Sequence, residues 1–172
     1  NKNLAWLISG AFDKNISNLK ATFDKINLRF ENSYRPLKNM TINAGVYYTN
    51  SNNKSGLPQY SSLTRPGNRY IPYLNLVGTD GSDLAVPLYY DLRFTNEVGD
   101  GKLMNWNYYP LQEYKHNSYV TKTEEILARI GLSYKILNGL NASLQYQYQK
   151  QNTKSSNEAD TLSFYARNLI NL

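Results

Sequence analysis

The stretch INLRFENSYRPLKNMTINAGVYY at 26–48 returns 100 residues later, in altered form, as ILARIGLSYKILNGLNASLQYQY at 126–148. Each copy reads as a strand, a turn of about five residues and a second strand. Apolar side chains keep to even positions. The first copy has Ile26, Leu28, Phe30, Tyr34, Ile42, Ala44, Val46 and Tyr48; the second has Ile126, Ala128, Ile130, Leu132, Tyr134, Leu140, Ala142, Leu144, Tyr146 and Tyr148. Odd positions are mostly polar or small, among them Arg29, Glu31, Ser33, Asn43, Arg129, Gln145 and Gln147. Side chains alternate between the faces of a strand, so each hairpin carries one apolar face and one wet face. A repeated hairpin with this alternation predicts an all-β, antiparallel fold, either a β-barrel wall or a large sandwich.

The rest of the chain weighs between those two. Residues 4–12 (LAWLISGAF) put Leu4, Trp6, Ile8 and Phe12 on even positions and predict another strand. The expected strands are thus 4–12, 25–34, 40–49, 125–134 and 140–150, with polar connections at 13–23 and 151–160. Residues 161–172 carry no clear pattern. The turn at 35–39 uses Pro36 to fix φ and Asn39 to take a left-handed conformation, and the turn at 135–139 carries the Asn138-Gly139 hairpin signal. Between 50 and 122 lie roughly 70 residues with five of the six prolines and six of the ten glycines. That is far beyond the ~15 residues at which loops in compact domains become uncommon.

Short and long connections therefore alternate, as they do in bacterial outer-membrane barrels. Strands of about ten residues suit a tilted bilayer crossing. Tyr34, Tyr47, Tyr48, Tyr134, Tyr146 and Tyr148 sit near strand ends, where an interfacial girdle would place them. These features favour a transmembrane barrel wall over the alternative, a secreted or surface β-sandwich module that binds glycan. About five strands cannot close even the smallest barrel of about eight. The expected layout is three barrel strands in 1–49, a long extracellular loop at 50–123, a barrel hairpin at 124–151 and a loop leading to the next strand at 152–172. The lack of an initiating Met and the end in mid-pattern also read as an internal segment of a longer polypeptide.

Composition narrows the function. Tyr supplies 16 residues against 5 Phe and 2 Trp, which suits membrane interfaces and sugar- or peptide-facing surfaces better than a Val-rich soluble core. There is no cysteine, which fits an oxidising compartment such as the bacterial envelope. No apolar run approaches the ~20 residues of a membrane-spanning helix. The net charge is +6, but Lys and Arg are scattered rather than gathered on one stripe, which argues against a nucleic-acid partner.

Chemistry-bearing constellations are few. His116 is the single histidine, so no Ser-His-Asp or Cys-His arrangement and no His/Cys metal site is expected. TDGSD at 79–83 reads as a turn rather than a calcium loop, since it lacks the ligand series and terminal Glu. Asp80, Asp83, Asp91, Glu97 and Asp100 would form a glycosidase acid–base pair only if folding brought two of them together. No catalytic residue, cofactor or metal is expected, and no enzymatic activity. The long loop is where recognition is expected. Tyr89, Tyr90, Trp106, Tyr108 and Tyr109 are the candidate ligand or partner contacts, with packing of the loop against itself as their other use.

Six stretches, in order along the chain, carry a family resemblance: SGAFDKN (9–15), NSYRPLKNMTINAGVYYT (32–49), YIPYLNLVGTDG (70–81), WNYYPLQEY (106–114), GLNASLQYQYQK (139–150) and SFYARNLIN (163–171). Together they resemble the SusC/RagA-like TonB-dependent outer-membrane transporters of Bacteroidetes. The resemblance implies a parent barrel of about 22 strands with a plugged lumen, of which this chain would be an early-to-middle part without plug or TonB box. It implies a location in the bacterial outer membrane, in contact with its lipid. It also implies a SusD-like surface lipoprotein as lid, TonB acting through parts of the protein outside this chain, and import of oligosaccharides or oligopeptides. Arg29, Glu31, Arg129, Gln145 and Gln147 would then line the lumen and act collectively.

Overall fold

The computed structural model of the chain describes residues 3–172. It is all-β, with 55% strand against 14% helix. In chain order the elements are β1 (Leu4–Ile16), β2 (Thr22–Leu37), β3 (Met40–Lys54), the two-residue strands β4 (Thr64–Arg65) and β5 (Arg69–Tyr70), α1 (Leu92–Glu97), α2 (Pro110–His116), β6 (Asn117–Leu137), β7 (Leu140–Ala159) and α3 (Phe164–Asn171). The five long strands form one sheet in the order β1-β2-β3-β6-β7, and β4 with β5 forms a separate antiparallel ladder. The sheet does not close on itself.

Each strand interface keeps odd residues beside odd ones and even beside even ones. Arg35 N–H donates to Asn3 O at 2.7 Å, and Gly10 lies against Leu28, so β1 and β2 hold one offset. On β3, Thr49 donates to Asn27 Oδ1 of β2 at 3.1 Å. Lys135 N–H donates to Asn39 O at 2.8 Å, and the Arg129 side chain lies over Gly45, again one offset. Between β6 and β7, Gly131 meets Gln145 while Thr123 and Thr153 hydroxyls are 3.2 Å apart. A slip of one residue would exchange the two faces, so the even-position pattern fixes this register.

The strands run further than the apolar pattern indicates. β6 begins at Asn117 rather than about 125, β3 continues to Lys54, and β7 continues to Ala159 rather than about 150. Backbone pairing needs no apolar side chain, so hydrophobic alternation marks only part of a strand. The connection expected at 13–23 shrinks to 17–21, where Lys20 takes φ 63 and Ser17 Oγ accepts from Ala21 N–H. Turn chemistry is corrected as well. Pro36 lies inside β2, the turn is Lys38-Asn39, and Asn39 is not left-handed. Asn39 instead uses its side-chain amide on Lys135 O, at 3.4 Å. At the other hairpin Gly139 alone takes positive φ, 93°, as in three-residue connections that end in a left-handed glycine.

Two compact units divide the chain. One comprises the residues up to Asn15 with Phe23–Asn53 and Thr121–Lys154; the other comprises Ile16–Thr22, Lys54–Val120 and Ser155–Leu172. The buried apolar side chains Leu63, Val86, Trp106, Val120 and Phe164 all belong to the second. The first unit has an apolar face without a cover: Leu28 and Ile130 are each 52% exposed and Leu144 71%. A sandwich would lay a second sheet on that face, and among the described residues the only other sheet is the β4–β5 ladder.

The uncovered face is banded. Even positions are apolar from Ile126 to Ile136 and from Leu140 to Tyr148, then turn charged or polar at Glu124, Lys122, Lys150 and Asn152. The same change falls at Lys14 on β1, Asp24 on β2 and Asn50 on β3. By the register just given these positions line up across the sheet to within about one residue pair. Asn50 indeed reaches Glu124 Oε1 at 3.5 Å.

Candidate functional site

On the odd face of the sheet, at the height of the apolar band, charged residues gather into one cluster. Glu31 accepts from Arg29 at 2.6 Å, and also from the Tyr47 hydroxyl and from Arg129. The Arg129 guanidinium stands 4.9 Å from the centre of the Tyr47 ring, and that of Arg29 5.6 Å. Gly45 makes this possible, since a Cβ there would sit 3.1 Å from Arg129 Nε. One carboxylate serves two guanidinium groups, so the cluster keeps a positive charge. A cavity of about 300 Å³ beside it is lined on this face by Ala5, Leu7, Ser33 and Asn43 as well as Glu31 and Arg129. Of the residues expected on this face, Arg29, Glu31 and Arg129 are brought together, whereas Gln145 lies against Gly131 on the β6–β7 hairpin.

The second unit is built around Phe164, the first residue of α3. Tyr89 and Tyr108 flank its ring at 5.8 and 5.3 Å, while Tyr90 packs on Trp106 at 4.8 Å and on Phe94 at 5.6 Å. Trp106 is only 7% exposed and donates its indole N–H to Asn168 Oδ1 at 2.8 Å. Burial, then the charge of Glu113, pushes the Tyr108 phenol up to about 12. Tyr109 stands at the N-cap of α2, its carbonyl accepting from Gln112 and Glu113 N–H groups. Of the five candidate contacts, then, Trp106 sits in the loop's own core. Tyr90 and Tyr108 are half-buried against it, and Tyr89, at 58% exposure, keeps a free face.

α3 holds that core together. Its N-cap Ser163 accepts from Ala166 N–H at 3.1 Å, and the Glu113 carboxylate takes the Phe164 N–H at 2.8 Å. From mid-helix, Arg167 donates to the carbonyls of Asn105 and Asn107, and at the C-terminal end Asn171 both donates to and accepts from the Met104 backbone. Sequence reading left 161–172 unassigned. The usable signal was Ser163 ahead of a run of helix-compatible residues, the mark of an N-cap. Nothing local announces that Arg167 and Asn171 serve the backbone of a segment about 60 residues away.

Three of the five acidic candidates have hydrogen-bond partners. Asp80 accepts from Ser82 N–H and Oγ inside the 79–83 turn, Asp83 accepts from Gln112, and Asp91 caps α1 through Arg93 N–H. His116 Nδ1 lies 2.9 Å from Asp160 Oδ2, and that hydrogen bond holds the Asp160 carboxyl below its usual range. No protein-family model matches the chain, and no curated protein matches it.

Proposed function

We propose that the five-stranded sheet is part of the wall of an outer-membrane importer that works in the manner of the SusC-like, TonB-dependent transporters. The supporting observation is the uncovered apolar band on one face, ending at one level on all five strands. Immersing such side chains in water forgoes roughly 1.5–3 kcal/mol each, on the order of tens of kcal/mol for the whole face. That exceeds the ~5–15 kcal/mol net stability of a typical domain. A cover is therefore needed, and hydrocarbon matches its dimensions. The apolar stretch 126–136 is ~35 Å long and ~27 Å tall at the ~40° tilt of barrel strands, close to the ~25 Å band of such barrels. No helix among the described residues is long and apolar enough to cross a membrane.

On this reading the odd face, with Arg29, Glu31 and Arg129 at mid-height, faces a lumen filled by water or a plug. Missing strands of a barrel of about 22 continue from the free edges of β1 and β7. Oligosaccharide or oligopeptide would enter under a SusD-like lipoprotein, with TonB supplying the work through other parts of the protein. The two tryptophans provide a direct test. In a Trp106→Phe variant reconstituted with brominated phosphatidylcholine, the remaining Trp6 emission should be strongly quenched. In a Trp6→Phe variant the buried Trp106 should keep its emission. Unquenched Trp6 would rule out lipid as the cover.

A further inference from the structure

We propose that the groove beside the β4–β5 hairpin is a docking surface for an acidic peptide segment of another protein. The groove, about 360 Å³, is lined by Thr64, Arg65, Asn68, Tyr89 and Tyr108 among others. It belongs to the second unit alone, so it stands whether or not the sheet crosses a membrane. Three observations carry the assignment. The first is charge: no Asp or Glu occurs anywhere from 32 to 79, and neither Arg65 nor Arg69 is ion-paired among the described residues. Asp91, whose carboxyl feels the Arg65 charge, is already engaged by Arg93 at its own helix start.

The second is a set of exposed rings on the chain that flanks the groove's lining residues 58–68. Tyr70 stands opposite Thr64 in the ladder, and the Tyr60 hydroxyl, ahead of the hairpin, donates to Leu74 O beyond it at 3.0 Å. Tyr73 is 99% exposed and held at φ 52, a left-handed conformation that a bulky side chain rarely adopts. Strain that projects an aromatic ring wholly into solvent has no use in the loop's own packing and matches a recognition role. Tyr and Arg are also the residues that anchor protein interfaces. The third is size. A space of this volume takes roughly two or three side chains of an extended segment, not a folded domain. A second copy of this chain is a poor occupant, because each carries a net charge of +6.

The test uses fluorescein-labelled octaglutamate and the full chain in detergent micelles, read by anisotropy. Binding should weaken about tenfold in Arg65→Gln and measurably in Asn68→Gly, which removes a lining side chain and suits the left-handed backbone there, while Lys102→Gln stays within about twofold. A benzoylphenylalanine at position 62, on the groove's lining, should cross-link the labelled peptide. Equal binding by the wild type and both variants would overturn the proposal. So would tighter binding of polygalacturonate, which would make this an acidic-glycan site, or self-association of the chain abolished by Arg65→Gln.

Discussion

Gly56 shows how much a single residue decides. Its φ is unremarkable, yet a Cβ there would collide with the backbone of Leu19, Lys20 and Ala21, and Leu57 N–H donates to Leu19 O at 2.6 Å. Glycine is required by close backbone approach rather than by conformation. Gly56→Ala should destabilise the second unit by roughly 1–3 kcal/mol, read as an earlier Trp106 fluorescence transition in urea on a Trp6→Phe background. Asp160 offers a pH readout in the same unit. Its hydrogen bond from His116, backed by the Leu162 N–H, depresses the folded-state pKa. The stability it contributes is therefore complete above the unfolded value of about 3.9 and is lost as pH falls through the lower folded value. The Trp106 unfolding midpoint should drop in that acid window, and Asp160→Asn should flatten the dependence.

The sheet elements owe their inner-face organisation to a polar cluster that hydrophobic pattern alone does not describe. Sequence reading expected Arg29, Glu31 and Arg129 to act collectively, and Glu31 on β2 accepts from arginines of β2 and β6 and from Tyr47 of β3. Glu31→Gln leaves two guanidinium groups facing each other beside a neutral amide. The expected result is a lower thermal midpoint for the sheet in detergent, and a Glu31→Gln/Arg129→Gln double variant that loses less than the two single losses combined. Strictly additive losses would mean that the three strands do not share this network.

At the scale of the whole molecule the two faces of the sheet should respond oppositely to charge. Leu144 lies in the apolar band, and Gln145, one residue on, lies on the polar face. On the proposed barrel-wall reading, Leu144→Arg should reduce folding stability in lipid vesicles by about 2–4 kcal/mol, while Gln145→Arg should be nearly neutral. Equal effects at the two positions would show that both faces meet the same solvent.

Periodicity alone revealed the all-β class, both hairpins, and the facing of Leu28, Ile130 and Leu144, because a two-residue repeat maps directly onto the faces of a strand. It also marked 50–123 as an excursion, since prolines and glycines punctuate it. It did not reveal where β3, β6 and β7 end, because polar residues pair their backbones as well as apolar ones do. Nor did it show that the loop's core is closed by α3, where Phe164 meets Tyr89 and Tyr108 and Arg167 and Asn171 satisfy the backbone at 104–107. Alternation is local and legible one strand at a time. Which distant groups satisfy one another depends on how the chain returns upon itself, and only the tertiary structure decided that.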